Sequence, residues 1–257
     1  MRTRGMVSLV GAGPGDPELI TVRALRCLEE ADVVVYDRLI DPRILESVPL
    51  HAERIFVGKA AGSVVLSQRG IENLLIDRAR QGKHVVRLKG GDPFLFGRGG
   101  EEIEALTAAD IPYQVVPGVS SAFAVPASAG IPVTHRRLAS TVTVVTGHED
   151  PEKPQSSIDW EWLARAPGTL VILMGLERLD GICSRLMREG RSGDTPAAVI
   201  ASGTLPQQRT VLAPLAGLAD EVQQAVVRSP AIIVVGEVAR FPEMIAGADL
   251  AALAEAV

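Results

Sequence analysis

The stretch from His84 to Glu102, HVVRLKGGDPFLFGRGGEE, constrains the fold more than any other part of the chain. His84 to Leu88 is short, apolar and rich in β-branched residues, which predicts a buried strand. Gly90-Gly91-Asp92-Pro93 stops that strand. Five glycines fall between Gly90 and Gly100, and a helical pattern opens at Glu101. A strand that ends in bare backbone and hands over to a helix is where α/β proteins place a ligand. An ordinary connection needs one or two glycines. Five, interleaved with an arginine and followed by two glutamates, point to close approach of main chain to a bound molecule.

The same alternation runs through the rest of the sequence. Strands are expected at residues 6–10, 33–36, 54–57, 113–116, 141–146, 170–174, 197–201, 208–212 and 231–235. Helices are expected at 67–80, where apolar residues fall at 71, 74, 75 and 79, and at 100–108, 120–129, 176–188 and 214–226. Asp16 and Pro17 open a further helix that Thr21 to Glu30 continues, and Ala246 to Val257 offers a terminal one. His148 to Ser157 is polar and proline-bearing, a loop. Strands alternating with helices predict an α/β fold with mostly parallel sheets in both halves. Pro117-Gly118 punctuates the chain, so two domains are expected, 1–117 and 118–257.

Composition removes several classes. With 257 residues, 47% of them hydrophobic but only 4% aromatic, aliphatic side chains must fill the core. The net charge of −5 argues against nucleic acid as a partner, because phosphate contacts need clustered cations. Cys27 and Cys183 lie far apart without metal-ligand spacing, and His51, His84 and His148 show none either, so no metal is expected. Two lone thiols and no signal-peptide pattern predict a cytoplasmic location. No apolar run approaches the ~18 residues of a membrane span.

Gly11-Ala12-Gly13-Pro14-Gly15-Asp16 follows the first expected strand and invites a dinucleotide reading. That fingerprint needs glycine where Asp16 stands, and Pro14 removes an amide that would face a pyrophosphate. An aspartate at a helix start repels phosphate. Glycines beside a carboxylate suit an uncharged ligand or one carrying a sulfonium or ammonium group. A plain capped turn would also account for these residues.

Taken together, these stretches resemble the uroporphyrinogen-III C-methyltransferases of the tetrapyrrole methylase family. The matching residues are Gly11 to Asp16, Tyr36-Asp37, Gly58-Lys59, Val86 to Pro93, Phe96 to Glu102, Pro117 to Ala122, Gly130 to Arg136, Thr146-Gly147-His148, Met174-Gly175, Gly203-Thr204 and Pro230-Ala231. Asp110, Ser120-Ser121 and Ser128 depart from the pattern, which has glycine, Thr-Ala and tyrosine there. The resemblance implies two α/β domains with S-adenosylmethionine in the cleft between them, S-adenosylhomocysteine as spent product, and a homodimer. It implies methylation of uroporphyrinogen III at C2 and C7 to precorrin-2, which feeds siroheme and cobalamin. Cofactor contacts are implied at Pro14, Gly90, Gly91, Asp92, Leu95, Ser120, Ser121, Met174, Ala201, Gly203 and Ala231. Proton transfer is implied at Asp37 and Lys59, and tetrapyrrole binding at Arg98, Glu101 and Arg136.

The chemistry agrees with those residue types. A sulfonium is already a good leaving group, so the protein's main task is to align donor and acceptor carbons. A pyrrole carbon that attacks leaves positive charge on the ring and later a proton to remove. A carboxylate near that charge stabilises it, and a nearby base takes the proton. Asp37 and Lys59 each follow an expected strand; a surface ion pair would look the same. Guanidinium forks suit a polycarboxylate. Methylation of RNA or protein by the same fold, and a silent binding protein, are the rival readings.

Overall fold

The computed structural model of the chain describes residues 5–58, 66–153 and 156–246. Two compact units partition it, Met1–Ser120 and Ser121–Val257.

In the first unit, β1 (Met6–Gly11) leads through a 3-10 turn at Pro17–Leu19 to α1 (Val22–Glu29). The expected continuous helix from Asp16 is therefore two pieces. Asp16 caps only the 3-10 turn, through the Glu18 amide at 3.0 Å. Ile20 and Thr21 are extended, and the Thr21 hydroxyl caps α1 afresh. Each of these short side chains offers the backbone a local acceptor that competes with helix propagation. β2 (Val33–Tyr36), β3 (Glu53–Phe56), α2 (Gln68–Arg80), β4 (His84–Lys89), α3 (Gly99–Ala108) and β5 (Tyr113–Val116) follow.

All five strands pair in parallel, in the order β3-β2-β4-β1-β5. Their side chains alternate between two cores. Val10, Val34, Val86 and Leu88 meet Ala24, Cys27 and Leu28 of α1. Val7, Leu9, Val33, Val35 and Val85 meet Ile71, Leu75 and Ala79 of α2 and Leu106 of α3. This is a doubly wound sheet. The connection leaving β1 runs to one side and that leaving β4 to the other, so the carboxyl ends of these two neighbours mark the switch point. At the opposite end of β4, His84 Nδ1 meets the Glu30 carbonyl at 3.1 Å and must donate to it. That leaves Nε2 to accept from Ser8 Oγ at 2.8 Å, a structural arrangement of the histidine.

The second unit begins with α4 (Ser121–Ser128) and continues β6 (Val142–Thr146), α5 (Trp160–Arg165), β7 (Thr169–Leu173), α6 (Leu179–Arg188), β8 (Pro196–Ala201), β9 (Arg209–Pro214), α7 (Leu218–Gln224), β10 (Ala231–Val235) and α8 (Phe241–Ala246). The order is β6-β7-β10-β8-β9. Here the expectation of parallel strands needs correction: only β6 and β7 pair in parallel, and the other three pairs are antiparallel. The cause is one short connection. Residues 202–208 join β8 to β9, too few for a crossover, which takes a dozen or more, so the chain turns back as a hairpin. Strands joined by helices still share a direction, but β9 and β10 are both reversed. β10 then inserts between β7 and β8. α5 was not expected, and the expected helix at 214–226 shrinks to Leu218–Gln224 because Arg209–Pro214 extends the hairpin. Most of the expected terminal helix lies outside the described residues, and α8 stands just before it.

Candidate active site

Three glycine-bearing loops meet at the carboxyl ends of β1, β4 and β5. Gly13 and Gly91 exchange amide–carbonyl bonds of 3.3 and 2.7 Å, which stitches the loop after β1 to the loop after β4. Asp92 fastens the third: its Oδ2 accepts from the Gly118 amide at 3.1 Å and its Oδ1 from the Phe94 amide at 2.9 Å. The Asp92 side chain, expected at the cofactor, is thus engaged within the unit. The backbones approach so closely that a Cβ at Gly118 would sit 2.2 Å from the Gly91 carbonyl oxygen. Likewise a Cβ at Gly99 would lie 2.5 Å from the Pro93 oxygen, and one at Gly97 2.7 Å from it. Packing therefore explains more of these glycines than the sequence suggested. Gly100 has nothing nearby. Phe96 and Arg98 hold positive φ of 52° and 57°, conformations costly for residues with a side chain and concentrated at ligand-binding loops.

Behind these loops lies a feature that was not anticipated. Arg87 and Lys89 share the strand parity of Val85 and so face α2 and α3 rather than solvent. Both are 5% exposed, and Glu102 of α3 is 0% exposed. Lys89 Nζ reaches both Glu102 oxygens at 3.1 Å, and Arg87 Nε reaches Oε1 at 3.2 Å. Arg87 Nη2 lies 3.7 Å from Asp37 Oδ2, just beyond the end of β2. Burial and the neighbouring guanidinium push the Lys89 ammonium below the ordinary lysine range, against the pull of Glu102. A close signal existed in the sequence: two cations at core-facing positions of a buried strand require a buried carboxylate.

Glu101, expected at the substrate, is exposed and takes a 2.9 Å bond from Arg98 Nε, which holds its carboxyl below the ordinary range. Adjacent glutamates thus point to different surroundings, as 100° per residue on a helix demands. Lys59 lies outside the described residues. Pro14, Gly90, Leu95 and Ser120 are half-buried in the same unit.

In the second unit, the reversal of β10 brings its start to the same edge as the ends of β7 and β8. Ala231 pairs with Ala201, and the Ser202 amide donates to the Pro230 carbonyl at 2.9 Å. Met174, Ser202 and Thr204 at this edge have φ of 57°, 49° and 67°. Three strained non-glycine residues at one sheet edge mark a shaped surface. Met174 is exposed, whereas Ala201, Gly203 and Ala231 are buried. Gln208 braces this turn, accepting from the Thr204 amide and the Ser128 hydroxyl at 2.7 Å each. Ser121 begins α4, and Arg136 is exposed in the tight turn between His135 and Ala139. The His135 ring rests on Phe241 with centroids 5.2 Å apart, and its Nδ1 accepts from the Arg137 amide. Among the described residues no group of three or more His, Cys, Asp or Glu is placed to hold a metal ion, and no helix is long and apolar enough to cross a membrane.

Residues 6–219 match the family of tetrapyrrole (corrin/porphyrin) methylases, and the chain is a member of that family. Over 241 residues, 94% of either chain, it is 52% identical to the S-adenosyl-L-methionine-dependent uroporphyrinogen III methyltransferase of Methanosarcina barkeri. It is 51% identical to the siroheme synthase of Ectopseudomonas mendocina, covering 95% of this chain but 53% of that one, so it spans about half the length of that relative. Among solved structures, the uroporphyrin-III C-methyl transferase of Thermus thermophilus complexed with S-adenosyl homocysteine superposes with a TM-score of 0.79 at 43% identity, covering 92% of this chain and all of that one.

Proposed function

We propose that this chain is an S-adenosylmethionine-dependent methyltransferase that methylates uroporphyrinogen III at C2 and C7 to give precorrin-2. The observation that carries the reading is the 52% identity over 94% of both chains to an S-adenosyl-L-methionine-dependent uroporphyrinogen III methyltransferase. The residues present fit the donor. When bound, S-adenosylmethionine supplies a sulfonium-activated methyl group. Pro14, Gly90, Gly91 and Asp92 offer backbone donors and acceptors beside a charge cluster in which Arg87 and Lys89 are matched by Glu102 and Asp37. No uncompensated cation of that cluster repels a sulfonium. Leu95 and Ser120 are the further contacts assigned in this unit; in the second unit the assigned contacts are Ser121, Met174 and the backbone at Ala201, Gly203 and Ala231, Met174 having an exposed side chain suited to an adenine.

Asp37 is the proton acceptor at the pyrrole, with Lys59 as its partner in proton transfer. Arg98, Glu101 and Arg136 hold the tetrapyrrole. The Arg98–Glu101 pair is solvent-exposed and worth about 1 kcal/mol or less, so it separates readily to let the arginine take a substrate carboxylate. The acidic balance disfavours nucleic acid. A homodimer working in the cytoplasm, with no membrane partner, completes the reading.

Incubation with labelled S-adenosylmethionine and either uroporphyrinogen III or RNA tests it. Label is expected in the tetrapyrrole alone. Label in RNA and none in the tetrapyrrole would reject it.

A further inference from the structure

We propose that Arg87, clamped by Glu102, is a positioning residue for the Asp37 carboxylate. The inference rests on the reading of Asp37 as the proton acceptor. A buried ion cluster is weak support for stability, since apolar residues of similar volume in its place are often neutral or better. The geometry of this one has a direction. Arg87 Nε is fixed on Glu102 at 3.2 Å, and its Nη1 donates to the Val35 and Leu88 carbonyls at 3.3 and 3.2 Å. Those bonds leave Nη2 aimed at Asp37 Oδ2, 3.7 Å away. Lys89, on both oxygens of Glu102 at 3.1 Å, holds that carboxylate turned toward Arg87.

On the receiving side, Asp37 Oδ1 is occupied by the Leu39 amide at 3.0 Å. Oδ2 feels the guanidinium charge at a distance beyond hydrogen bonding, so its lone pairs stay available, and the side chain is 27% exposed. One oxygen is pinned and the other is oriented yet open, which suits a group that must accept a proton. Lysine in place of Arg87 would supply the charge without the planar fork that makes four directed contacts.

The test is a double-mutant cycle on the full chain, with labelled donor and uroporphyrinogen III, reading kcat and KM separately and S-adenosylhomocysteine affinity by calorimetry. Asp37→Asn is expected to lower kcat by about a hundredfold or more. Arg87→Met is expected to lower kcat on the order of tenfold with KM and product affinity unchanged, since small misplacements of a catalytic group are costly. In the Asp37→Asn background, Arg87→Met should add no further loss. Arg87→Lys should restore little of the turnover, and it carries the test if circular dichroism shows Arg87→Met unfolded. Losses that multiply in the double variant, or full turnover in either Arg87 variant, overturn the positioning role while Asp37 keeps its own. Full turnover in Asp37→Asn removes Asp37 from the chemistry instead, and Arg87 with it.

Discussion

Val226 is a β-branched residue in a left-handed turn. It follows α7 at φ 51°, with its amide on the Gln223 carbonyl and the Val227 amide on the Val222 carbonyl. α6 ends the same way, but there Gly190 occupies the left-handed position, at φ 109°. A β-branched residue pays about 1 kcal/mol or more for that conformation. Its side chain is 63% exposed, so little packing is at stake. Val226→Gly is therefore expected to raise stability by about 1 kcal/mol, seen as a higher denaturant midpoint at unchanged slope. A midpoint that fell would show that the turn is unstrained. The same single-residue view explains what the sequence hid. Asp37, Arg98, Glu101 and Arg136 are legible as charged residues inside motifs. Glu102 is not, because nothing in a linear pattern says which of two adjacent glutamates a helix turns toward Arg87 and Lys89.

The elements around the first site are held by contact between backbones. Gly11, Gly91 and Gly118 come from the ends of three strands, and a Cβ on Gly118 would meet main-chain atoms of both others within 2.7 Å. Main chain fixed by ladder hydrogen bonds cannot withdraw, so Gly118→Ala should cost about 3 kcal/mol, toward the upper end of overpacking penalties. Gly100, in the first turn of α3, has open space where a side chain would go. Gly100→Ala should instead stabilise by about 0.5–1 kcal/mol, through lower unfolded-state entropy and better helix propensity. Equal effects of the two in thermal unfolding would contradict this division between the glycines. In the sequence Gly100 belongs to the expected ligand-binding run and Gly118 to the expected domain boundary, and spacing alone does not separate a glycine pressed by another strand from one facing solvent.

For the molecule as a whole, the two thiols serve as reporters, one in a core of each unit. Cys27 packs in the α1 face of the first sheet and Cys183 among α6 and the second sheet. Burial raises both thiols, Cys183 from 9.0 to about 12. The folded chain then keeps a proton at Cys183 that the unfolded chain releases. Its contribution is complete below pH 9 and is lost as pH rises toward 12. Cys183→Ala should flatten the alkaline decline in stability, followed by denaturation at a series of pH values. In native buffer at pH 8 a disulfide reagent should label neither thiol faster than its own unit opens. Prompt labelling of Cys183 would contradict its burial.

The sequence by itself determined the alternation of strands and helices, the parallel first sheet, most element boundaries to within a few residues, and the glycine-bearing loops at the strand ends. Those follow from local chemistry: β-branched runs, capping side chains, helix-stopping glycines and motif order. Only the tertiary structure decided that the second sheet is largely antiparallel. A single short hairpin reversed two strands, and strand order depends on partners distant in the chain. It alone decided that Arg87, Lys89 and Glu102 share a buried site beside Asp37. Charge pairing in a core is fixed by which faces of strand and helix come together, and that is a property of packing.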